Sequence, residues 1–216
     1  MSVDFAAARL NMLDSQVRTN DVPDLAIQDA MAAAPRERFC PPGREYLAYA
    51  DAQIEYAPGW NLLTPRDIAK LLHALAPRPG ETALCIAAPY GAMVLSTIGL
   101  DVTLRLPAGP ARQAADKALQ GYDIHTDAGE LLVPPNKGYD LVLVEGAVAQ
   151  TPSAWLEALA KSERAGARLG VVQRTGPVGK AQIHVRSADG VIGRRDVFDA
   201  TPAWLPGCEP VSTFAF

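Results

Sequence analysis

The chain has 216 residues, of which 49% are hydrophobic and 20% are charged, enough apolar material for one full-sized folded domain. Its formal net charge of -4 gives no long-range attraction to nucleic acid, because phosphate binding relies on clustered lysine and arginine. No window approaches the roughly 18 consecutive apolar residues of a membrane span, and no basic stretch followed by an apolar run opens the chain. We therefore expect a cytoplasmic protein without a membrane segment or a signal peptide.

The cysteines and histidines show neither a disulfide framework nor the spacing of a metal site. The three cysteines are odd in number and widely separated, and no pair has the C-x-x-C spacing. The three histidines are equally dispersed, so we predict no metal ion. The residues concerned are Cys40, Cys85, Cys208, His73, His125 and His184.

The N-terminal quarter predicts helices followed by irregular structure. Residues 4–34 read as two amphipathic helices separated by residues 19–24, where Asp21 or Asp24 is available to cap the second helix. Residues 35–59 are interrupted by prolines, and we expect loops and short turns there. We interpret residues 1–60 as an N-terminal helical and loop region packed on a core formed by residues 61–216, in one compact unit.

Thr64 begins the pattern of an α/β domain. Thr64 is predicted to be an N-cap with Pro65 at the first helical position, and the helix should end near Ala76. The segments that follow alternate between strand and helix, which favours right-handed parallel pairing, and the last three strands follow one another across glycine-containing turns, which favours antiparallel pairing. The predicted strands are 82–87, 102–106, 122–126, 139–145, 167–173, 181–186 and 193–200, and the predicted helices are 93–99, 111–119 and 153–161.

Three stretches carry a resemblance to a known family. Residues 35–41 read Pro-Arg-Glu-Arg-Phe-Cys-Pro and are followed by Ala-Tyr-Ala-Asp at 48–51, and residues 139–144 read Tyr-Asp-Leu-Val-Leu-Val. This order resembles the protein-L-isoaspartate O-methyltransferase family over almost the whole chain. The resemblance implies a doubly wound, mostly parallel, seven-stranded Rossmann-like methyltransferase sheet with antiparallel C-terminal strands and an N-terminal helical region.

The loop after the first strand of that sheet departs from the family pattern. The family reads roughly Val-Leu-Glu-Ile-Gly-x-Gly-x-Gly-Tyr, whereas residues 83–92 read Ala-Leu-Cys-Ile-Ala-Ala-Pro-Tyr-Gly-Ala. Glycine tolerates positive φ and lets a backbone approach a ligand closely, so Ala87 and Pro89 alter this cradle. The resemblance implies that Ala87, Tyr90 and Gly91 lie at the S-adenosylmethionine site.

Three further residues are predicted to face the same crevice. Arg105 stands where the resemblance implies an acid that accepts hydrogen bonds from both ribose hydroxyls, and a guanidinium offers only donors. Asp127 matches the family's Gly-Asp-Gly aspartate near the adenine, with a turn or cap residue as the alternative. Glu145 ends a predicted central strand, where ligands bind in open α/β sheets, with an ordinary loop carboxylate as the alternative. Arg105 is expected to pair internally with Asp127 or Glu145.

The family's catalytic and substrate stretch, Gly-Gln-Thr-Ile-Ser-Gln-Pro, is similar to residues 59–65. Leu63 replaces the central serine, which leaves Asn61 and Thr64 as candidate catalytic residues. Thr64 has the N-cap as its alternative role.

Four sites with binding or catalytic roles in the family are altered here, whereas the framework is retained. We therefore favour a relative that has lost or altered S-adenosylmethionine binding and has a binding or regulatory role. In one form of this hypothesis the protein uses no cofactor. The alternative is an active enzyme that uses S-adenosylmethionine to methylate isoaspartyl residues in proteins or peptides. A third hypothesis is a crevice that takes another small molecule through Arg105 and Glu145. The sequence is also compatible with a homo-oligomer. Its three tryptophans could serve as interface anchors or belong to the core: Trp60, Trp155 and Trp204.

Overall fold

The computed structural model describes residues 4–210, and its elements alternate in the predicted α/β order. The N-terminal helix continues through one π turn and one 3-10 turn to residue 20. The α-helices are α1 (Phe5–Met12), α2 (Leu25–Ala33), α3 (Pro65–Leu75), α4 (Pro89–Ile98), α5 (Pro110–Ala118) and α6 (Ser153–Ala160). The strands are β1 (Ile54–Ala57), β2 (Trp60–Leu62), β3 (Thr82–Ile86), β4 (Asp101–Arg105), β5 (Ile124–Asp127), β6 (Leu141–Val148), β7 (Arg168–Arg174), β8 (Gly179–Arg186) and β9 (Ile192–Ala200).

Seven of the strands form one sheet, which confirms the predicted fold class. Their order is β5-β4-β3-β6-β7-β8-β9. The strands from β5 to β7 pair in parallel, whereas β8 is antiparallel to both of its neighbours, β7 and β9. The chain leaves β3 in one direction to β4 and later returns to β6 on its other side. This reversal of strand order makes a topological switch point, and ligands in open α/β sheets bind outside the carboxyl ends of the strands at such a point.

The prediction of only loops and turns over residues 35–59 is wrong in part. Two 3-10 turns, Arg36–Phe39 and Glu45–Leu47, are present, but β1 forms an antiparallel hairpin with β2. Gly59 adopts a φ of +78° at the turn of this hairpin. The run is too short, and too close to Pro58, for apolar alternation to predict it. Because the hairpin spans residue 60, the division of the chain at that residue stays a prediction.

The helix starts are set by caps, some of which the sequence identifies. Thr64 Oγ1 accepts a hydrogen bond from the Asp67 N–H at 3.1 Å, so the predicted N-cap of α3 is confirmed. Asp24 caps α2, whereas Asp21 adopts a left-handed conformation outside it. The fourth helix begins four residues before the predicted Met93, because Pro89 takes the first helical position. This earlier start brings the helix N-terminus to the carboxyl end of β3.

Among residues 4–210, no helix has the length and apolar character needed to cross a membrane. The same residues contain no group of three or more His, Cys, Asp or Glu side chains placed to hold a metal ion.

Gly91 is required by packing between α4 and β6. A Cβ atom on Gly91 would overlap the side chain of Leu143, which is fully buried in β6. Strand and helix therefore approach more closely here than an alanine allows. The close packing explains a glycine inside a helix, where glycine is otherwise about 1 kcal/mol less favourable than alanine.

We predict that Gly91→Ala lowers the free energy of unfolding by about 1 to 3 kcal/mol, because overpacking outweighs the gain in helix propensity. Urea unfolding followed by circular dichroism measures the change. Gly193→Ala is the matched control, since a Cβ at Gly193 meets no atom within 4 Å. A Gly91→Ala protein as stable as that control would contradict this account of the packing.

Candidate functional site

The loop after β3 keeps a glycine-like backbone without glycine. Ala87 is buried and has a φ of +50°, in the left-handed region that glycine favours. Its N–H donates to the carbonyl of Arg105 at 3.0 Å, which ties the end of β3 to the end of β4. The neighbouring strand therefore holds the loop in this conformation, at the cost of a strained alanine.

The N-terminus of α4 is occupied by a carboxyl group of the chain itself, that of Glu145. Helix N-termini attract anions because their first N–H groups lack helical partners. Pro89 has no N–H, and the N–H of Gly91 donates to Glu145 Oε1 at 3.0 Å. Glu145 thus takes a position at the helix start in which a bound anion would otherwise accept hydrogen bonds.

Glu145 reaches this position through a bulge in β6. The pairing of β6 with β7 shifts between Leu143 and Ala147, and Gly146 adopts a φ of +140° within the shifted stretch. A bulge re-aims side chains locally. Glu145 is fully buried inside a strand that continues to Val148, so its alternative interpretation as a loop carboxylate is wrong.

Buried polar side chains surround Glu145. Arg36 is fully buried, donates to the carbonyls of Ala48 and Leu63 at 3.0 Å and 2.6 Å, and places its guanidinium carbon 4.9 Å from the ring centroid of Tyr90. Tyr90 is also fully buried and meets Phe39 edge-on. Four atoms of this cluster make no hydrogen bond among the described residues: Arg36 Nη1, Tyr56 Oη, Tyr90 Oη and Glu145 Oε2.

Burial controls the ionisation of this cluster. It raises the pKa of Glu145 to about 8, against the opposing effects of Arg36 and the Gly91 N–H. It also raises the pKa of Tyr90 and lowers that of Arg36. Glu145 is therefore mostly protonated near neutral pH, when its second oxygen can donate a hydrogen bond.

Arg105 lies at the carboxyl end of β4 and bonds to neighbouring groups of the chain. Its guanidinium forms a salt bridge with Asp127 and donates to the Val133 carbonyl, while Nε donates to the Glu130 carbonyl at 3.0 Å. A Cβ on Gly129 would overlap the guanidinium, so this glycine accommodates the arginine. Of the two expected internal partners, Asp127 forms the contact.

A segment that we call the strap, residues 128–138, lies over the end of β4. Arg105 contacts its Glu130 and Val133 carbonyls, and the Nε1 of Trp155 donates to the Leu131 carbonyl at 2.8 Å. Trp155 is fully buried, so it is core and not an exposed interface anchor. The strap is held from below by two side chains that the sequence does not associate with it.

The two candidate catalytic residues lie in separate surface cavities. Asn61 on β2 lines a cavity of about 280 Å³ beside the turn at residues 40–47, whereas Thr64 caps α3 and borders another cavity with Arg66. Leu63, between them, is buried. The structure thus brings Ala87, Gly91, Tyr90 and Glu145 together, places Arg105 with Asp127, and leaves the catalytic roles of Asn61 and Thr64 as predictions.

The sequence indicated no role of their own for Arg36 and Gly129 in this region, although both lie in stretches that carry the family resemblance. Arg36 lies within the Pro-Arg-Glu-Arg-Phe stretch, but an arginine gives no sign in the sequence that it will be fully buried. Gly129 was the available signal, because a glycine in a loop often marks a place where another group lies close to the backbone. Here that group is the Arg105 guanidinium.

Comparison with known proteins gives consistent relatives. A Methylorubrum populi protein-L-isoaspartate O-methyltransferase is 34% identical over 164 residues, covering 73% of this chain and 77% of the relative. A Roseiflexus castenholzii protein of the same description is 32% identical over 169 residues, covering 75% and 77%. This chain belongs to the protein-L-isoaspartate O-methyltransferase family. No family model matches it, so membership rests on the individual relatives.

Solved structures in the family share the fold. A Plasmodium falciparum chain described as a protein-L-isoaspartate O-methyltransferase, in complex with S-adenosyl-L-homocysteine, has a TM-score of 0.77 at 13% identity and covers 94% of this chain and 99% of its own. A second chain described as a protein-L-isoaspartate O-methyltransferase has a TM-score of 0.74 at 18% identity and covers 92% and 66%. At these identities the likeness concerns the fold alone.

The residues at the carboxyl ends of the strands do not fit S-adenosylmethionine in the way that the family pattern implies. The end of β4 offers a guanidinium already bonded to Asp127 and two carbonyls, where two hydroxyls would need acceptors. The N–H of Gly91, at the start of α4, is already bonded to Glu145. At both ends of the crevice, groups that would contact the cofactor already bond to the chain itself, although Glu145 Oε2 and Tyr90 Oη make no hydrogen bond among the described residues.

We predict that Arg105→Met lowers the free energy of unfolding by about 1 to 3 kcal/mol, because Asp127 and two carbonyls lose a partly buried donor. Hydrogen exchange should also rise within the strap. Lys180→Met removes the exposed pair with Asp199 and serves as the control, with little change expected in the free energy of unfolding because exposed ion pairs contribute little. Equal effects of the two substitutions would argue against Arg105 as the residue that holds the strap.

We predict that Glu145→Gln flattens the dependence of stability on pH. Between the ordinary glutamate pKa of 4.5 and the folded-state value of about 8, the unfolded chain is ionised while the folded chain keeps the proton. The contribution of Glu145 to stability is therefore complete below the lower value and is lost as the pH rises to the higher one, by roughly 5 kcal/mol in total.

Urea unfolding at several pH values between about 5 and 8 measures this effect as the difference between wild type and variant. The amide oxygen introduced by Glu145→Gln can still accept from the Gly91 N–H, so the local fold is retained. Glu163→Gln, at an exposed position, is the control and should follow the wild-type profile. A Glu145→Gln profile parallel to wild type would show that Glu145 is ionised at neutral pH.

Proposed function

We propose that this chain is a protein-L-isoaspartate O-methyltransferase relative that has lost ordinary S-adenosylmethionine binding and has a binding or regulatory role. The observation that carries the proposal is the salt bridge between Arg105 and Asp127. It joins, at the ends of β4 and β5, the residue that the resemblance puts at the ribose-acid position and the residue that it puts near the adenine. A ligand entering there would have to break this pair and desolvate both groups.

The occupied start of α4 supports the same proposal. Glu145 accepts from the Gly91 N–H, and Pro89 removes another donor from this helix end. Tyr90 is fully buried against Arg36, so its side chain belongs to the core. A crevice that takes a different small molecule through Arg105 and Glu145 has less support, because the Arg105 guanidinium is engaged by Asp127 and two carbonyls and Glu145 already uses one oxygen at the start of α4.

We predict that isothermal titration calorimetry detects no binding of S-adenosylmethionine or S-adenosylhomocysteine at concentrations up to about 1 mM. The Methylorubrum populi relative, titrated under identical conditions, shows whether the assay can detect a family member's ligand. A dissociation constant in the low micromolar range for this chain would overturn the proposal.

The second candidate is an active enzyme, and its support is the 34% identity to the Methylorubrum populi methyltransferase over most of both chains. If the chain is active, S-adenosylmethionine is its cofactor and isoaspartyl residues of proteins or peptides are its substrates. Transfer of a labelled methyl group to an isoaspartyl peptide tests this candidate. Transfer above that seen with the matching aspartyl peptide would replace the binding role by the enzymatic one.

A further inference from the structure

The cavity that contains Asn61 lies between the turn at residues 40–47 and the β1–β2 hairpin. Its volume of about 280 Å³ is slightly below the range of pockets for drug-sized ligands. Pro41, Leu47 and Ile54 supply apolar surface. None of the six predicted cofactor residues lines it, so this cavity is distinct from the closed crevice.

Two side chains of opposite charge border the cavity without forming a salt bridge. Arg44 is exposed, and its guanidinium has no hydrogen-bonding partner among residues 4–210. Glu55 uses Oε1 to accept from the Gly59 N–H at 2.8 Å, which leaves Oε2 available. A cation and an anion therefore face the same small space, each with bonding capacity left.

The hairpin places a neutral polar group beside Glu55. Glu55 and Asn61 are opposite each other in the antiparallel pairing of β1 and β2, and opposite residues project on the same face of a sheet. The Asn61 amide, like the Arg44 guanidinium, has no side-chain partner within residues 4–210. Its NH₂ group can therefore donate to an anion held by Arg44.

These groups select a ligand by exclusion as well as by attraction. A simple carboxylate would be repelled by Glu55 and a simple amine by Arg44, whereas a molecule carrying both charges satisfies both residues. The apolar walls require a hydrocarbon part of limited size. We propose that this cavity binds a small zwitterion, an L-α-amino acid with an apolar side chain.

In this arrangement the carboxylate of the amino acid contacts Arg44 and Asn61, and its ammonium group contacts Glu55. The side chain packs on Leu47, Ile54 and Pro41. The inference does not rest on the proposed function, because it involves neither the crevice nor its cofactor. If the cavity binds no amino acid, the proposed loss of S-adenosylmethionine binding is unaffected, and the reverse also holds.

Calorimetric titration of the whole chain with three probes tests the proposal. L-leucine carries both charges, 4-methylpentanoate lacks the ammonium group, and 3-methylbutylamine lacks the carboxylate. L-leucine should bind with a dissociation constant below about 1 mM, and each singly charged analogue should bind about tenfold more weakly. Failure of L-leucine to bind at about 10 mM would overturn the proposal.

Two variants assign the charges. Arg44→Gln should weaken L-leucine and 4-methylpentanoate about tenfold and tighten 3-methylbutylamine, because the repelling guanidinium is gone. Glu55→Gln should weaken L-leucine and the amine and tighten 4-methylpentanoate. The amide oxygen introduced by Glu55→Gln can still accept from the Gly59 N–H, which preserves the turn. Arg164→Gln, at a separate polar cavity, is the control and should change nothing. Equal losses for all three probes in either variant would contradict the assigned contacts.

Discussion

The guanidinium of Arg105 determines what the ends of β4 and β5 can do. A largely buried arginine must find acceptors, and here they come from Asp127 and from two carbonyls of the strap. The strap is thereby drawn down over the strand ends, and Gly129 is needed so that the backbone can pass above the guanidinium. One side chain thus couples a strand, a loop and the entrance of the crevice.

On the other side of the switch point a carboxyl group, that of Glu145, likewise bonds within the chain. The β6 bulge carries Glu145 to the start of α4, where Pro89 has reduced the number of donors that need acceptors. Protonation makes this burial tolerable, because a neutral carboxyl costs far less to desolvate than a carboxylate. Family membership and retained fold therefore coexist with an interior whose polar groups find many of their partners within the chain.

Much of the fold could be predicted from the sequence, because it depends on local signals. Thr64 followed by Pro65 marks a helix start wherever it occurs, and the apolar run at residues 141–144 can be buried only between two layers. The bulge at Glu145, the burial of Arg36 and the β1–β2 hairpin could not be predicted. Each depends on contacts between distant segments, and neither a short strand nor a buried charge shows periodicity in the sequence.

Ala87 shows that the shape of a loop can outlast the residue type that usually permits it. Its φ of +50° is held by the hydrogen bond to Arg105, so the neighbouring strand supplies the restraint and alanine bears the strain. A glycine at this position therefore lowers the energy of the turn, but its absence does not mean that the turn is absent. Searches keyed to glycine at this position would pass over chains that keep the architecture after their ligand requirements have changed.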